Sequence, residues 1–181
     1  CSLDQTANGT QNSRAMSILQ VITGNINNPG GWVISPRLAL GSVAMGVEGG
    51  TPLGSDKYPI FFEIWGRKSP YGVVTLVPES IPQKIKAFFV IGGNPLVSMA
   101  DANAFRESFK KLELLVVHDL FMSETALAAD YVLPACSQLE KWGVAYTYNV
   151  CHWLPYLMLR KKAIEPLGEC WSEWKLITEL A

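Results

Sequence analysis

Three short apolar runs separated by helix-patterned segments constrain this chain more than any other feature of its sequence. Ala87-Phe88-Phe89-Val90-Ile91, Leu114-Leu115-Val116-Val117 and Tyr131-Val132-Leu133 are too short for helices. Their unbroken apolar character is what a strand covered on both faces of a parallel sheet requires. Between the first two, Ala102, Phe105, Phe109 and Leu112 fall at helical spacing and predict a helix over Asp101–Lys111. A short helix around Ser123–Ala129 separates the second run from the third. Gly92-Gly93-Asn94-Pro95, His118-Asp119 and Pro134 stop the three runs in turn. Strand, helix, strand, helix, strand implies an α/β fold, with a Rossmann-like, mostly parallel sheet flanked by helices over about residues 85 to 134.

The flanking regions are read as parts of the same single domain. An N-terminal helix runs from about Thr10 to Thr23, with Ala15, Ile18, Leu19 and Ile22 on one face and Gly24 at the position of a left-handed C-cap. Residues 32–83 form an irregular excursion in which Gly and Pro recur, with Tyr58–Trp65 its one compact apolar stretch. Extended pieces are expected around Val144–Tyr148 and Leu157–Arg160, without a place in a sheet order. The last segment reads as a helix from Ser172, with Trp174, Ile177 and Ala181 recurring at helical spacing. No Met precedes Cys1 and no cap follows Ala181, so both ends read as cuts within a longer protein.

Composition narrows the function classes. A formal net charge of −1 with 17% charged residues gives no basic footprint for nucleic acid or an anionic membrane. No apolar run reaches the roughly 18 residues of a membrane span, and the compartment stays open. Cys1, Cys136, Cys151 and Cys170 contain no C-x-x-C, and His118 and His152 are the two histidines, so a self-contained zinc or iron–sulfur site is not expected. The thiols are read as reduced and buried. Glu140-Lys141 reads as a solvated pair of charges and His152 as structural, and Ser98 lacks a nucleophile elbow. No constellation suited to bond-breaking chemistry emerges.

Binding chemistry gathers at two strand ends, where open parallel sheets hold ligands. Gly92, Gly93 and Asn94 offer backbone N–H groups at close approach and one amide, suiting a phosphate or ribose. Gly-Gly-Asn-Pro is also a plain tight turn. The second end presents His118, Asp119 and Ser123. A carboxylate there accepts paired donors from a purine edge or ribose, and Asp119 capping the following helix is the alternative. The absence of G-x-G-x-x-G disfavours ordinary nicotinamide binding.

Four blocks in order resemble the molybdopterin oxidoreductases of the dimethyl sulfoxide reductase and formate dehydrogenase type. They are Gln5-Thr6-Ala7-Asn8-Gly9 with Thr23-Gly24-Asn25-Ile26 and Pro29-Gly30-Gly31; Lys86-Ala87 with Gly92-Gly93-Asn94-Pro95; Asp119 to Ala126 with Ala129 to Pro134 and Glu140; and Ala163 to Glu169 with Trp174. The resemblance implies a bis-molybdopterin guanine dinucleotide carrying molybdenum or tungsten in the parent enzyme, of which this chain would hold one dinucleotide. By that resemblance Gly92, Gly93 and Asn94 would line phosphates and ribose, and Asp119 would read the guanine edge, with His118 beside it. Ser123 stands where the family often has Thr, and Gln5 and Asn8 would lie near the pterin or pyrophosphate. Thr6 departs from the family's frequent His.

The family's [4Fe-4S] cysteine cluster, its metal ligand and its C-terminal barrel have no counterpart in these residues, and belong by resemblance to the parent alone. Expected partners are other domains of the same parent chain and an iron–sulfur electron-transfer subunit, with no nucleic acid and no membrane contact. The chain by itself is expected to bind no metal and to turn over no substrate. A free-standing nucleotide-binding module and a nicotinamide- or thiamine-dependent dehydrogenase are the competing readings.

Overall fold

The computed structural model describes residues 6–32, 53–57, 76–145 and 157–181. Tyr58–Trp65, Tyr146–Tyr148, His152, Cys1, Cys151 and Gln5 lie outside the described residues. The chain divides into two compact units, Cys1–Gly41 with Gly143–Arg160, and Ser42–Trp142 with Lys161–Ala181.

In the first unit, helix α1 spans Gly9–Ile22. It ends as its sequence predicts. Gly24 takes φ +67° and donates to the Val21 carbonyl, and Asn25 donates to Gln20, which together satisfy two otherwise orphaned carbonyls of the last turn. The expected apolar face forms but is not covered: Ile18 and Leu19 are each 50% exposed, and Ile22 is more so. Strands β4, Gly143–Ala145, and β5, Met158–Arg160, pair antiparallel with each other, which places the two extended pieces that had no sheet order.

The second unit holds the parallel sheet. Helix α2, Val77–Ser80, precedes β1, Ala87–Ile91, and α3, Pro95–Ser98. Helix α4, Ala102–Phe109, follows, then β2, Leu114–Asp119, α5, Glu124–Leu127, and β3, Tyr131–Pro134. The order is β1-β2-β3, all parallel, with Phe88 opposite Leu115, Val90 opposite Val117 and Val117 opposite Val132. This is the α/β sheet flanked by helices that the apolar runs imply. Strand β2 extends through His118-Asp119 rather than stopping before them.

One face of the sheet carries the core. Val90, Leu115 and Val117 pack with Leu96, Phe105, Phe109 and Ala126. Phe105 is 1% exposed and meets Phe109 edge-on at 5.8 Å between ring centroids. Each such ring contributes roughly 1.5–3 kcal/mol by burial, so α4 is held by its phenylalanines rather than by its eight residues of helix. The helix starts on Asp101, whose carboxylate accepts from the Ala104 N–H at 3.1 Å. The irregular excursion also supplies core: Leu76, Val77 and Ile81 are buried and Leu53 packs against the cluster.

Three expectations are corrected. The strand Ala87–Ile91 is not covered on both faces, since Phe89 is 46% exposed and Ile91 is open as well. The cause is its place at one edge of a three-stranded sheet, where the helices of the core cover only the Phe88 and Val90 side. Helix α6, Glu173–Leu180, buries Leu176 and leaves Trp174 and Ile177 exposed, so the contact face is rotated from the predicted stripe.

Glu140-Lys141 is not a solvated pair. Glu140 is 8% exposed and its carboxylate accepts from the N–H groups of Ser137 and Leu167, both at 2.8 Å. The Leu167 and Ser137 bonds hold its carboxyl down to about 2. Lys141 pairs with Glu173.

Candidate functional site

The carboxyl ends of β1 and β2 are adjacent, and two loops leave from them. After β1 the chain turns at Gly92, whose φ of +60° only glycine adopts without strain. A Cβ built there meets nothing within 4 Å among the described residues, so the backbone conformation rather than crowding demands glycine. The Gly92 N–H donates to the His118 carbonyl at 2.9 Å, so this amide is committed to the sheet and is not offered to a ligand. The N–H groups of Gly93 and Asn94 meet no acceptor among the described residues.

Asn94 and Thr125 tie the two loops together. Asn94 stands at the N-cap of α3 yet makes no cap bond with its own side chain. Its amide oxygen instead accepts from the Thr125 hydroxyl at 2.7 Å and from the Thr125 N–H at 3.3 Å. Its amide nitrogen donates to Glu124 at 2.6 Å. In return the Thr125 hydroxyl accepts from the Leu96 N–H at 3.2 Å. Each short helix therefore has a first-turn N–H satisfied by a side chain of the other. Thr125 is fully buried, and its dual role could not be seen from spacing because its partner stands 31 positions away.

Asp119 ends β2, half-buried, with Oδ1 accepting from the Leu120 N–H at 2.6 Å. It does not cap α5. Ser123 does, accepting from the Ala126 N–H at 3.3 Å, and so Asp119 Oδ2 meets no donor among the described residues. Glu124, fully exposed at the start of α5, has its carboxyl held below the usual range, first by the Asn94 amide and then by its own N–H. Between Asp119 and Ser123 the loop exposes Leu120, Phe121 and Met122, with Phe121 78% open.

His118 joins this rim through its carbonyl alone. The imidazole is 1% exposed, with Nε2 3.0 Å from the Trp171 carbonyl and Nδ1 buried without a partner among the described residues. It lines a cavity of about 360 Å³ with Leu133, Pro134, Trp171 and Leu176. Asn8 is exposed at the N-terminus of α1 in the first unit, where its carbonyl accepts from Asn12.

The arrangement presents free amides on one strand end and a carboxylate oxygen on the next. Comparison with known proteins gives the chain a family. The sequence profile of molybdopterin oxidoreductases matches residues 2–181. The chain belongs to the molybdopterin oxidoreductase family.

Among its relatives is the F420-dependent formate dehydrogenase subunit alpha of Methanocaldococcus jannaschii, 34% identical over 98% of this chain and 27% of that protein. Formate dehydrogenase H of Escherichia coli is 29% identical over 96% of this chain and 26% of that protein. The acetylene hydratase of Pelobacter acetylenicus superposes with a TM-score of 0.51 at 33% identity, covering 59% of this chain and 14% of the other. The chain thus spans about a quarter of the length of the curated relatives it matches. The formate dehydrogenases among these relatives are oxidoreductases, and family membership implies a molybdopterin cofactor with molybdenum or tungsten.

Proposed function

We propose that this chain is the part of a larger formate dehydrogenase-type enzyme that grips one guanine dinucleotide arm of its molybdopterin cofactor. The observation that carries this reading is the mutual capping of the loops after β1 and β2, which joins a strand end with two open N–H groups to a neighbouring strand end with one free carboxylate oxygen among the described residues. The donor set fits the group. The Gly93 and Asn94 amides suit an anionic phosphate oxygen, and Asp119, with Oδ2 free and a second lone pair left on Oδ1 beside the Leu120 N–H bond, suits the N1–H and N2–H pair of guanine. His118 contributes its carbonyl to the loop geometry and Ser123 holds α5 in place. Asn94 positions the turn with a side chain already engaged, so its contribution to the ligand is its N–H. Gln5 and Asn8 are assigned to the pterin side.

Bound cofactor supplies the metal centre at which substrate electrons are exchanged. The residues of this chain bind it, orient it and exclude other nucleotides. On this reading the chain alone holds no metal and turns over no substrate, and the other domains of the parent and an iron–sulfur subunit complete the enzyme.

Calorimetry tests the assignment directly. GMP is expected to bind more tightly than AMP or NAD, and Asp119→Asn to weaken GMP by about tenfold to a hundredfold by removing a charged acceptor. Equal or tighter NAD binding overturns the reading. Elemental analysis showing stoichiometric molybdenum or tungsten in the purified chain overturns the claim that it is inert alone.

A further inference from the structure

The end of β3 leads into a second bonded junction that the nucleotide site does not use. Ala135 and Trp171 form a parallel bridge, in which Trp171 N–H donates to Pro134 at 3.0 Å and Cys136 N–H donates to Trp171 at 2.8 Å. This backbone pairing sets Cys136 and Cys170 on facing segments, and their sulfurs lie 3.5 Å apart. Cys136 is 3% exposed and Cys170 is partly open. Both line a cavity of about 410 Å³ together with Glu140, Lys141, Trp142 and Trp174. Glu140 fixes the second segment from below, accepting from Leu167 N–H at 2.8 Å and from the Cys170 thiol at 3.5 Å.

We propose that Cys136 and Cys170 are a dithiol redox site that closes to an intramolecular disulfide when a low-molecular-weight disulfide enters the cavity beside them. Closing the gap to the bonded length of about 2.05 Å takes side-chain rotation of roughly 1.5 Å between segments already held by the bridge. Cys170 reacts first because it is the accessible thiol. Its thiolate, having lost a proton to solvent, attacks one sulfur of the small disulfide and expels one small thiolate. Cys136 then loses its proton to solvent in the cavity and attacks the Cys170 sulfur of the mixed disulfide, expelling the second small thiolate, and the two small thiolates take up two protons from solvent. Two protein thiols are oxidised and one small disulfide is reduced to two small thiols, so atoms and electrons balance.

Burial, then the Cys170 thiol and the Glu140 charge, push the Cys136 thiol up to about 11. The closing step therefore depends on a small thiolate fraction, and its rate rises by roughly tenfold per pH unit through neutrality.

The test is differential alkylation of the chain after exposure to hydroxyethyl disulfide, followed by tryptic mapping. A crosslink between the peptides carrying Cys136 and Cys170 is expected, reversed by dithiothreitol, and forming about a hundredfold faster at pH 9 than at pH 7. In urea the preference for this pair over Cys1 and Cys151 is expected to vanish. Full alkylation of both thiols after treatment, or pairing of either with Cys1 or Cys151 in the folded chain, overturns the proposal. Two variants check the order of events. Cys136→Ser should retain a stable mixed disulfide on Cys170, and Cys170→Ser should leave Cys136 unmodified; the reverse pattern overturns the assignment of Cys170 as the entry thiol.

Discussion

Thr125→Val removes one oxygen and almost no volume, and it isolates the hydrogen bonds that join the two loops of the proposed nucleotide site. The hydroxyl donates to Asn94 at 2.7 Å and accepts from Leu96 N–H at 3.2 Å. Leu96 is 3% exposed, so its N–H has no route to water once the oxygen is gone. A lost hydrogen bond costs about 1 kcal/mol and an orphaned buried donor about 1–3 kcal/mol more, so roughly 2–4 kcal/mol of stability should disappear. In urea unfolding this is a midpoint lower by roughly 1–2 M at the slope of a domain this size. Thr125→Ser keeps the oxygen and loses one methyl, for about 1 kcal/mol. Valine must therefore cost clearly more than serine, and GMP affinity should fall with valine and hold with serine. A valine variant within about 0.5 kcal/mol of the parent, or a serine variant as damaged as valine, refutes the mutual-capping argument.

Other perturbations probe separate steps of the same reasoning. Gly92→Ala should cost about 1–2 kcal/mol in equilibrium unfolding, all of it backbone, because the added methyl meets no atom of the described residues within 4 Å; a loss of twice that would mean crowding. Asp101 holds φ +56° while capping α4, so Asp101→Ala should cost about 1 kcal/mol and Asp101→Asn less than half of that, read from thermal midpoints. Glu140 has its carboxyl lowered to about 2 by the Leu167 and Ser137 bonds. A depressed carboxyl adds stability that is fully present above its unfolded value near 4.5 and is lost as pH falls toward 2. The drop in melting temperature between pH 5 and pH 2.5 should be smaller in Glu140→Gln than in the parent, and equal slopes would contradict it.

The sheet was legible because its strands are short, apolar and bounded by Gly, Asn and Pro, and because Phe105 and Phe109 mark one helix face. Gly24 as a helix stop was legible for the same local reason: its left-handed backbone leaves few alternatives. What escaped is tertiary. Apolar content predicted that Phe89 and Ile91 would be covered, but coverage depends on what lies over an edge strand, which composition does not encode. Adjacent opposite charges suggested solvent for Glu140-Lys141, whereas Leu167, 27 positions on, encloses the carboxylate. At the site, Gly92-Gly93-Asn94 and Asp119 were visible as strand-end chemistry. The sequence could not say that Asn94 spends its amide on Thr125, that Ser123 rather than Asp119 caps α5, or that His118 turns its ring inward.

Mutual capping also bears on the thermodynamics of ligand capture. Because Asn94 and Thr125 lock their loops against each other when the chain folds, on the proposed function that part of the site is ordered before a nucleotide arrives. Association then carries little conformational entropy penalty on the protein side. On the proposed function, selectivity among nucleotides would then rest on a template preset by these bonds.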